Sequence, residues 1–317
     1  MNKRRVKNAI KRMMFSTHKL GTRFGVHVLP VHYYSPVPDI IQLEKSQELW
    51  AKKSEMPGID ADIDRQVDNL KAICAPYQDE YQGNEAYRYA TERGFGPGFG
   101  YIEAQALHGV IRHYKPKRVI EVGSGVSTWC MLTALKINQE ETGEDYSLTC
   151  IEPFPSKKLK SLPEINLKES IVQTVSFEDG FSDLGENDLL FIDSSHAVKP
   201  GSDVNHLILE IMPRLKPGVI VHLHDIYLPY DYSQNVLQTF LHWAETALLR
   251  AFLTHNHKAK IIFCQSQLHH ERKDAMKEVF PEYNPINEVN GLRSDKYKPF
   301  ESPKNEHSPV SIYIQIQ

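Results

Sequence analysis

The segment Arg118–Trp129, RVIEVGSGVSTW, constrains the chain more than any other. Val119, Ile120 and Val122 make a β-branched apolar run of strand length, and Gly123 and Gly125 allow a tight turn directly after it. The pattern predicts a buried parallel strand, a glycine turn and the opening of a helix. Glu121 stands two places before Gly123, so a carboxylate, pliable backbone and the free N–H groups of a helix start converge on one small volume. That combination suits a nucleotide-type ligand. A dinucleotide fingerprint would require a third glycine where this chain has Thr128, which disfavours NAD.

S-Adenosylmethionine (SAM) has no pyrophosphate and needs only a seat for its methionine carboxylate at the helix end. The pattern E-x-G-x-G-x-S, with Glu121, Gly123, Ser124, Gly125 and Ser127, serves that need.

The 317 residues are enough for one large α/β domain with an extension, and a net charge of −3 argues against nucleic acid as the main partner. Cys74, Cys130, Cys150 and Cys264 are scattered without C-x-x-C spacing, which fits reduced thiols in a cytoplasmic protein. There is no apolar run of spanning length and no secretory h-region, so the expectation is a soluble or at most membrane-peripheral chain. Residues 3–23 combine Lys and Arg with Val6, Ile10, Met13 and Leu20 at helical spacing. Such a basic amphipathic helix can lie on an anionic membrane, or serve as a solvated or partner-docking arm; a homo-oligomer is a separate expectation that no segment of the sequence locates.

Prolines in GVHVLPVHYYSPVPD, residues 25–39, predict an extended segment, and residues 40–92 read as helices broken at Met56-Pro57-Gly58. The expected division is an extension over 1–93 and a ligand-binding domain over 94–317. GFGPGFG, residues 94–100, has the composition of a flap over a ligand or of a connecting turn. From Lys117 onward strands and helices alternate, the signature of a doubly wound, mostly parallel α/β sheet. Strands are expected at 118–122, 147–152, 170–175, 188–193, 218–224 and 259–264, with helices near 126–139, 156–162, 201–214 and 233–253. The alternating segment 310–316 should add an antiparallel strand, and the polar stretch 284–308 should be a long loop.

In such sheets ligands bind beyond the carboxyl ends of the strands. Strand two ends in Glu152, placed to take two ribose hydroxyls, and Ser176–Asp179 would wall an adenine ring. Strand four, DLLFIDSSH, ends in Asp193 and then His196; strand five, VIVHLHD, ends in His224 and Asp225. Neighbouring strands lie about 4.8 Å apart, so the two aspartates should share a site. Asp193, His224 and Asp225 suit a divalent cation, Mg²⁺ or Mn²⁺ and less readily Fe. Without a metal, Asp193 would sit near the cofactor amine, with His196 as general base and His224 as the alternative. His222, deeper in the strand, reads as a hydrogen-bonded core histidine.

Together RVIEVGSGVSTW, LLFIDSSHAVKPGSDVNHLILEIMPRLKPGVIVHLHDIYLP and GPGFGYIEAQAL resemble the class I SAM-dependent methyltransferases. Within them the chain is similar to the metal-associated O-methyltransferase-like group related to macrolide-sugar and cephalosporin-cluster enzymes. The resemblance implies a seven-stranded sheet of order 3-2-1-4-5-7-6, SAM on strands one to four, and a metal or acceptor site around Asp193 and Asp225. It departs from those relatives at His224, where they often carry an acidic or amide residue. The expected activity is methyl transfer from SAM to a hydroxyl of a sugar or other polar small molecule. A metal-dependent hydroxylase-like enzyme, or a non-catalytic SAM-binding, membrane-peripheral protein, stands as the alternative.

Overall fold

In the computed structural model, which describes residues 3–96, 98–294 and 305–317, the predicted alternation becomes a seven-stranded sheet. Its strands are β1 (Arg118–Val122), β2 (Ser147–Ile151), β3 (Asn166–Lys168), β4 (Leu189–Ile192), β5 (Ile220–Leu223), β6 (Ala259–Cys264) and β9 (Ile312–Ile316). A separate hairpin pairs β7 (Glu288–Val289) with β8 (Leu292–Arg293). The sheet order is β3-β2-β1-β4-β5-β9-β6, the expected 3-2-1-4-5-7-6 once the hairpin is left out of the numbering. β1 to β5 run parallel, and β9 inserts antiparallel between β5 and β6.

Strand alternation sorts the core onto two faces. Val119, Leu148, Cys150, Leu189, Phe191, Phe263 and Tyr313 pack with the helices Ile63–Cys74, Tyr101–Tyr114 and Val126–Thr142. Ile120, Val122, Ile151, Leu190, Ile192, Val221 and Leu223 pack on the other face with residues 204–215 and the helix Glu245–Leu253. Leu70, Ile73, Cys74, Tyr81 and Ala90 belong to the first cluster, so the helices of 63–92 are part of the sheet domain's own core. The compact units are accordingly Met1–Trp50 and Ala51–Gln317, a division earlier than the expected one at 93.

Residues 170–175 do not extend the sheet. β3 lies at 166–168, and Val172–Thr174 form a 3₁₀ turn that buries Val172 and Val175 on one side. An apolar i, i+3 pair reads equally as strand or helical turn, and pairing with β2 resolves it. The predicted helix 233–253 shortens to Glu245–Leu253, because residues 239–244 run as irregular chain that brings Leu241 and Trp243 to a cleft at the sheet's edge. Within 284–308 the β7–β8 hairpin replaces part of the expected loop; residues 295–304, like Pro97 of the glycine-rich stretch, lie outside the described residues.

The first unit is built of the helix Lys3–Arg23, irregular chain over 24–39, and short helices Ile40–Lys45 and Gln47–Trp50. Asp39 caps the second of these by accepting from the Gln42 amide. Ile10, Met13, Phe15 and Leu20 on the first helix are exposed. Among the described residues no helix is long and apolar enough to cross a membrane.

Candidate active site

A cleft of about 700 Å³ opens beyond the carboxyl ends of β1, β2, β4 and β5. Gly123 lies at its floor with φ +82°, and a Cβ there would stand 1.7 Å from the Asp193 carbonyl oxygen, so only glycine lets β1 and β4 close together. Gly125 precedes the helix Val126–Thr142, whose first amides and Ser127 face the cleft.

Glu121 does not line the cleft. Alternation turns its side chain beneath the helix, fully buried, where it accepts from Ser127 Oγ and Thr128 Oγ1 at 2.6 Å each, with Cys150 Sγ at 3.3 Å. Burial pushes this carboxyl up to about 7 against the pull of those hydrogen bonds. Thr128 Oγ1 in turn accepts from the Gly125 amide. The residue that breaks the dinucleotide pattern is therefore a brace for the glycine turn.

Glu152 occupies the end of β2 as expected. Its two oxygens accept separately from the Ser124 amide (3.1 Å) and the Phe154 amide (2.7 Å), which aims the carboxylate across the turn while leaving acceptor capacity on both. Beyond it a second recess of about 390 Å³ is bordered by Phe154, Ile171, Val172 and Gln173. Phe154 is 89% exposed and Ile171 49%, so two apolar side chains stand uncovered around it. Ser176–Asp179 line neither space; Ser176 caps a short helix there instead.

At the opposite end of the cleft, Asp193, His196 and Asp225 present donor atoms within 4.8 Å of one another. His196 Nε2 lies 3.4 Å from Asp193 Oδ1 and 3.2 Å from Asp225 Oδ2, and His196 Nδ1 is 2.7 Å from Glu245 Oε2. His224 Nδ1 is 3.3 Å from Asp193 Oδ1, yet neither of its buried ring nitrogens makes an aligned hydrogen bond. Tyr227 donates its hydroxyl to Asp225 Oδ1 at 3.2 Å. His196 and Asp225 both adopt left-handed backbone, φ +56° and +55°, at about 1–3 kcal/mol each, a strain the surrounding contacts hold in place.

Charge follows this geometry. Burial alone would lower the His196 imidazole, but Asp193, Glu245 and Asp225 raise it to about 11. His224, equally opposed by burial, is raised to about 9 by Asp193 and Asp225. Burial works to raise Asp193 too, and the two histidines nevertheless hold its carboxyl well below the usual range. Carboxylates on both sides favour the protonated imidazole, which works against His196 as general base. Its surroundings instead match a metal-ligating imidazole, whose far nitrogen donates to a buried carboxylate while the near one faces the ligand group.

The donor set fits a divalent cation: two carboxylates and one imidazole converge, with His224, whose ring nitrogens make no aligned hydrogen bond, beside them. The tight group contains His196 where sequence reasoning placed His224. His222 is a core residue as expected, 2.9 Å from Ser311 Oγ and stacked on Tyr313.

Three contributors carried no signal in the sequence. Glu245 opens a helix, Trp243 packs its ring 4.6 Å from that of His196, and Glu103 sits buried in the first turn of Tyr101–Tyr114, 4.0 Å from His224 Nε2. The glycine-rich stretch closes over the same ground. Phe95 packs on Trp129, Phe99 covers His224 at 5.0 Å, and Gly96 lies so near Gly125 that a Cβ would come within 2.9 Å of its Cα.

A family model described as a methyltransferase domain matches residues 120–226, from β1 through the end of β5. An uncharacterized protein of Archaeoglobus fulgidus is 28% identical over 156 residues, covering 47% of this chain and 68% of that protein. The SAM complex of TomG, an O-methyltransferase of Streptomyces achromogenes involved in tomaymycin synthesis, superimposes with a TM-score of 0.36 at 14% identity, over 64% of this chain and 82% of that one. The stretch that holds the glycine turn, Glu152, Asp193, His196, His224 and Asp225 is thus the stretch that is similar to a methyltransferase domain.

Proposed function

We propose that the protein transfers a methyl group from SAM to a hydroxyl of a sugar or other polar small molecule, with a divalent cation at Asp193, His196 and Asp225. The observation that carries this reading is the continuity of the cleft, which joins Glu152 and the glycine turn at one end to His196 and Asp225 at the other. Glu152 would take the ribose hydroxyls, the helix start at Val126 the methionine carboxylate, and the recess between Phe154 and Ile171 the adenine ring. Held by those residues, SAM would supply a sulfonium methyl for in-line displacement by the acceptor hydroxyl.

A cation held there supplies Lewis-acid lowering of the acceptor hydroxyl's pKa. The chain's own residues do the remainder. Glu245 fixes the His196 ring through Nδ1, Tyr227 holds Asp225, Phe95 and Trp243 line the cleft with apolar surface, and Phe99 covers His224. The acceptor's proton would pass to Asp225, a carboxylate that lines that end of the cleft. The exposed apolar residues and basic charge of residues 3–23 support a peripheral contact with anionic membrane.

Titration calorimetry with SAM, its demethylated product and NAD tests the assignment. Heat with the first two and none with NAD is the expected result; binding of NAD alone would reject it.

A further inference from the structure

Outside the cleft, the described residues hold one other convergent set of ligand-type side chains: His269, His270 and Glu288, with donor atoms all within 4.8 Å of one another. The histidines end the helix Gln265–Glu271 that follows β6 directly, and Glu288 opens β7. Glu288 Oε2 lies 3.3 Å from His269 Nε2 and 3.6 Å from His270 Nδ1, so two imidazoles address a single carboxylate oxygen.

The far atoms of the set are already engaged. His269 Nδ1 is 2.6 Å from the Tyr283 hydroxyl, and Ser308 Oγ donates to Glu288 Oε1 at 2.8 Å. A ligating imidazole carries its proton on the far nitrogen and gives it to such an outer partner, leaving the near nitrogen's lone pair for an ion. The Tyr230 ring backs His270 edge-on at 4.8 Å. His269 is fully buried, and the Glu288 side chain is 4% exposed.

Four-coordinate zinc with bonds of about 2.0–2.1 Å places its ligand atoms about 3.3 Å apart. The observed separations of 3.3 and 3.6 Å are edges of that size. Two imidazoles with one carboxylate match zinc, whereas Mg²⁺ and Ca²⁺ want all-oxygen sets.

We propose that His269, His270 and Glu288 bind a zinc ion, with solvent as the fourth ligand, and that the ion clips the β7–β8 hairpin to the end of β6. The hairpin in turn holds the chain leaving β5: the Arg293 amide donates to the Gln234 carbonyl at 2.8 Å, and the Tyr232 hydroxyl donates to the Asn290 carbonyl at 2.8 Å. Zinc would therefore steady the chain that follows Asp225 without entering the cleft.

The test uses the full chain, stripped with chelator and titrated with Zn²⁺ against a chromogenic indicator, and with Co²⁺ for its visible spectrum. His270 is the most exposed of the three ligands, at 15%, so His270→Ala is the variant expected to fold, with SAM binding as the check. It should weaken one class of zinc site by about 100-fold or more and remove the intense tetrahedral Co²⁺ bands, while Asp225→Ala leaves those bands in place. Unchanged zinc affinity and spectrum in both His270→Ala and Glu288→Gln would overturn the proposal, as would loss of the bands in Asp225→Ala alone. Hydrogen exchange on the stripped wild-type chain gives a readout free of variants. Added zinc should slow exchange across 265–293, and no slowing there would equally refute the clip.

Discussion

Replacing Glu121 by Gln separates a carboxylate that serves a ligand from one that serves the fold. The side chain is fully buried, and burial raises its pKa from an ordinary 4.5 to about 7. Below about pH 4.5 folded and unfolded chains both hold the proton, so the shift has no effect on stability. As the pH rises toward 7 the unfolded chain releases its proton first, and stability falls; above about 7 the deficit is constant. The gap corresponds to about 3 kcal/mol, of which about 2–3 kcal/mol develops between pH 5 and pH 8.

Gln has the same shape but no charge to bury. Its amide group must find acceptors where Ser127 and Thr128 now donate, a cost of about 1–3 kcal/mol that does not depend on pH. Denaturant melts of wild type and Glu121→Gln near pH 5 and near pH 8 isolate the charge, since every other titrating group cancels in the difference. The variant should gain about 2–3 kcal/mol on the wild type from the lower to the higher pH. An equal difference at both pH values would refute the picture of a buried, reluctantly ionised brace.

Glu152→Ala should weaken SAM by about 1–3 kcal/mol in calorimetry, through lost charged hydrogen bonds, and unchanged affinity would move the ribose elsewhere. Asp225→Ala should abolish cation binding in the cleft and most activity while SAM affinity stays near wild type; full wild-type activity in excess chelator would make the site metal-free. Glu245→Gln keeps the shape of the His196 partner without its charge and should lower activity about 10–100-fold at unchanged SAM affinity, so an unaltered rate would deny His196 its ligand role. Deleting residues 3–23 should remove sedimentation with anionic vesicles and leave the neutral-vesicle background unchanged; salt should have the same effect as the deletion.

The ends of β1, β2, β4 and β5 were legible because apolar runs stop abruptly at Gly123, Glu152, Asp193 and Asp225, and parallel strands must deliver those ends to one edge. The role of Glu121 was legible in principle, since it shares a face with Val119 and alternates with Ile120 and Val122, which fixes its direction under the helix. The glycine motif drew it to the ligand instead. Glu245 and Glu103 were not legible. They come from helices, and only packing decides which side of a helix meets a site on other elements. His196 and His224 were found as a pair, but their protonation depends on four carboxylates brought from separate parts of the chain. The hairpin at 288–293 escaped detection because two-residue strands leave no periodicity to read.

The insertion of β9 between β5 and β6 has a consequence for how the chain assembles. During synthesis β1 to β5 can pair as they emerge, but β6 has no neighbour in the sheet except β9. β6 must wait for its sheet partner until Ile312–Ile316 leave the ribosome. Completion of the sheet is thus coupled to the synthesis of Ile312–Ile316, and a chain stalled before Ile312 would present the open edge of β5 to other molecules.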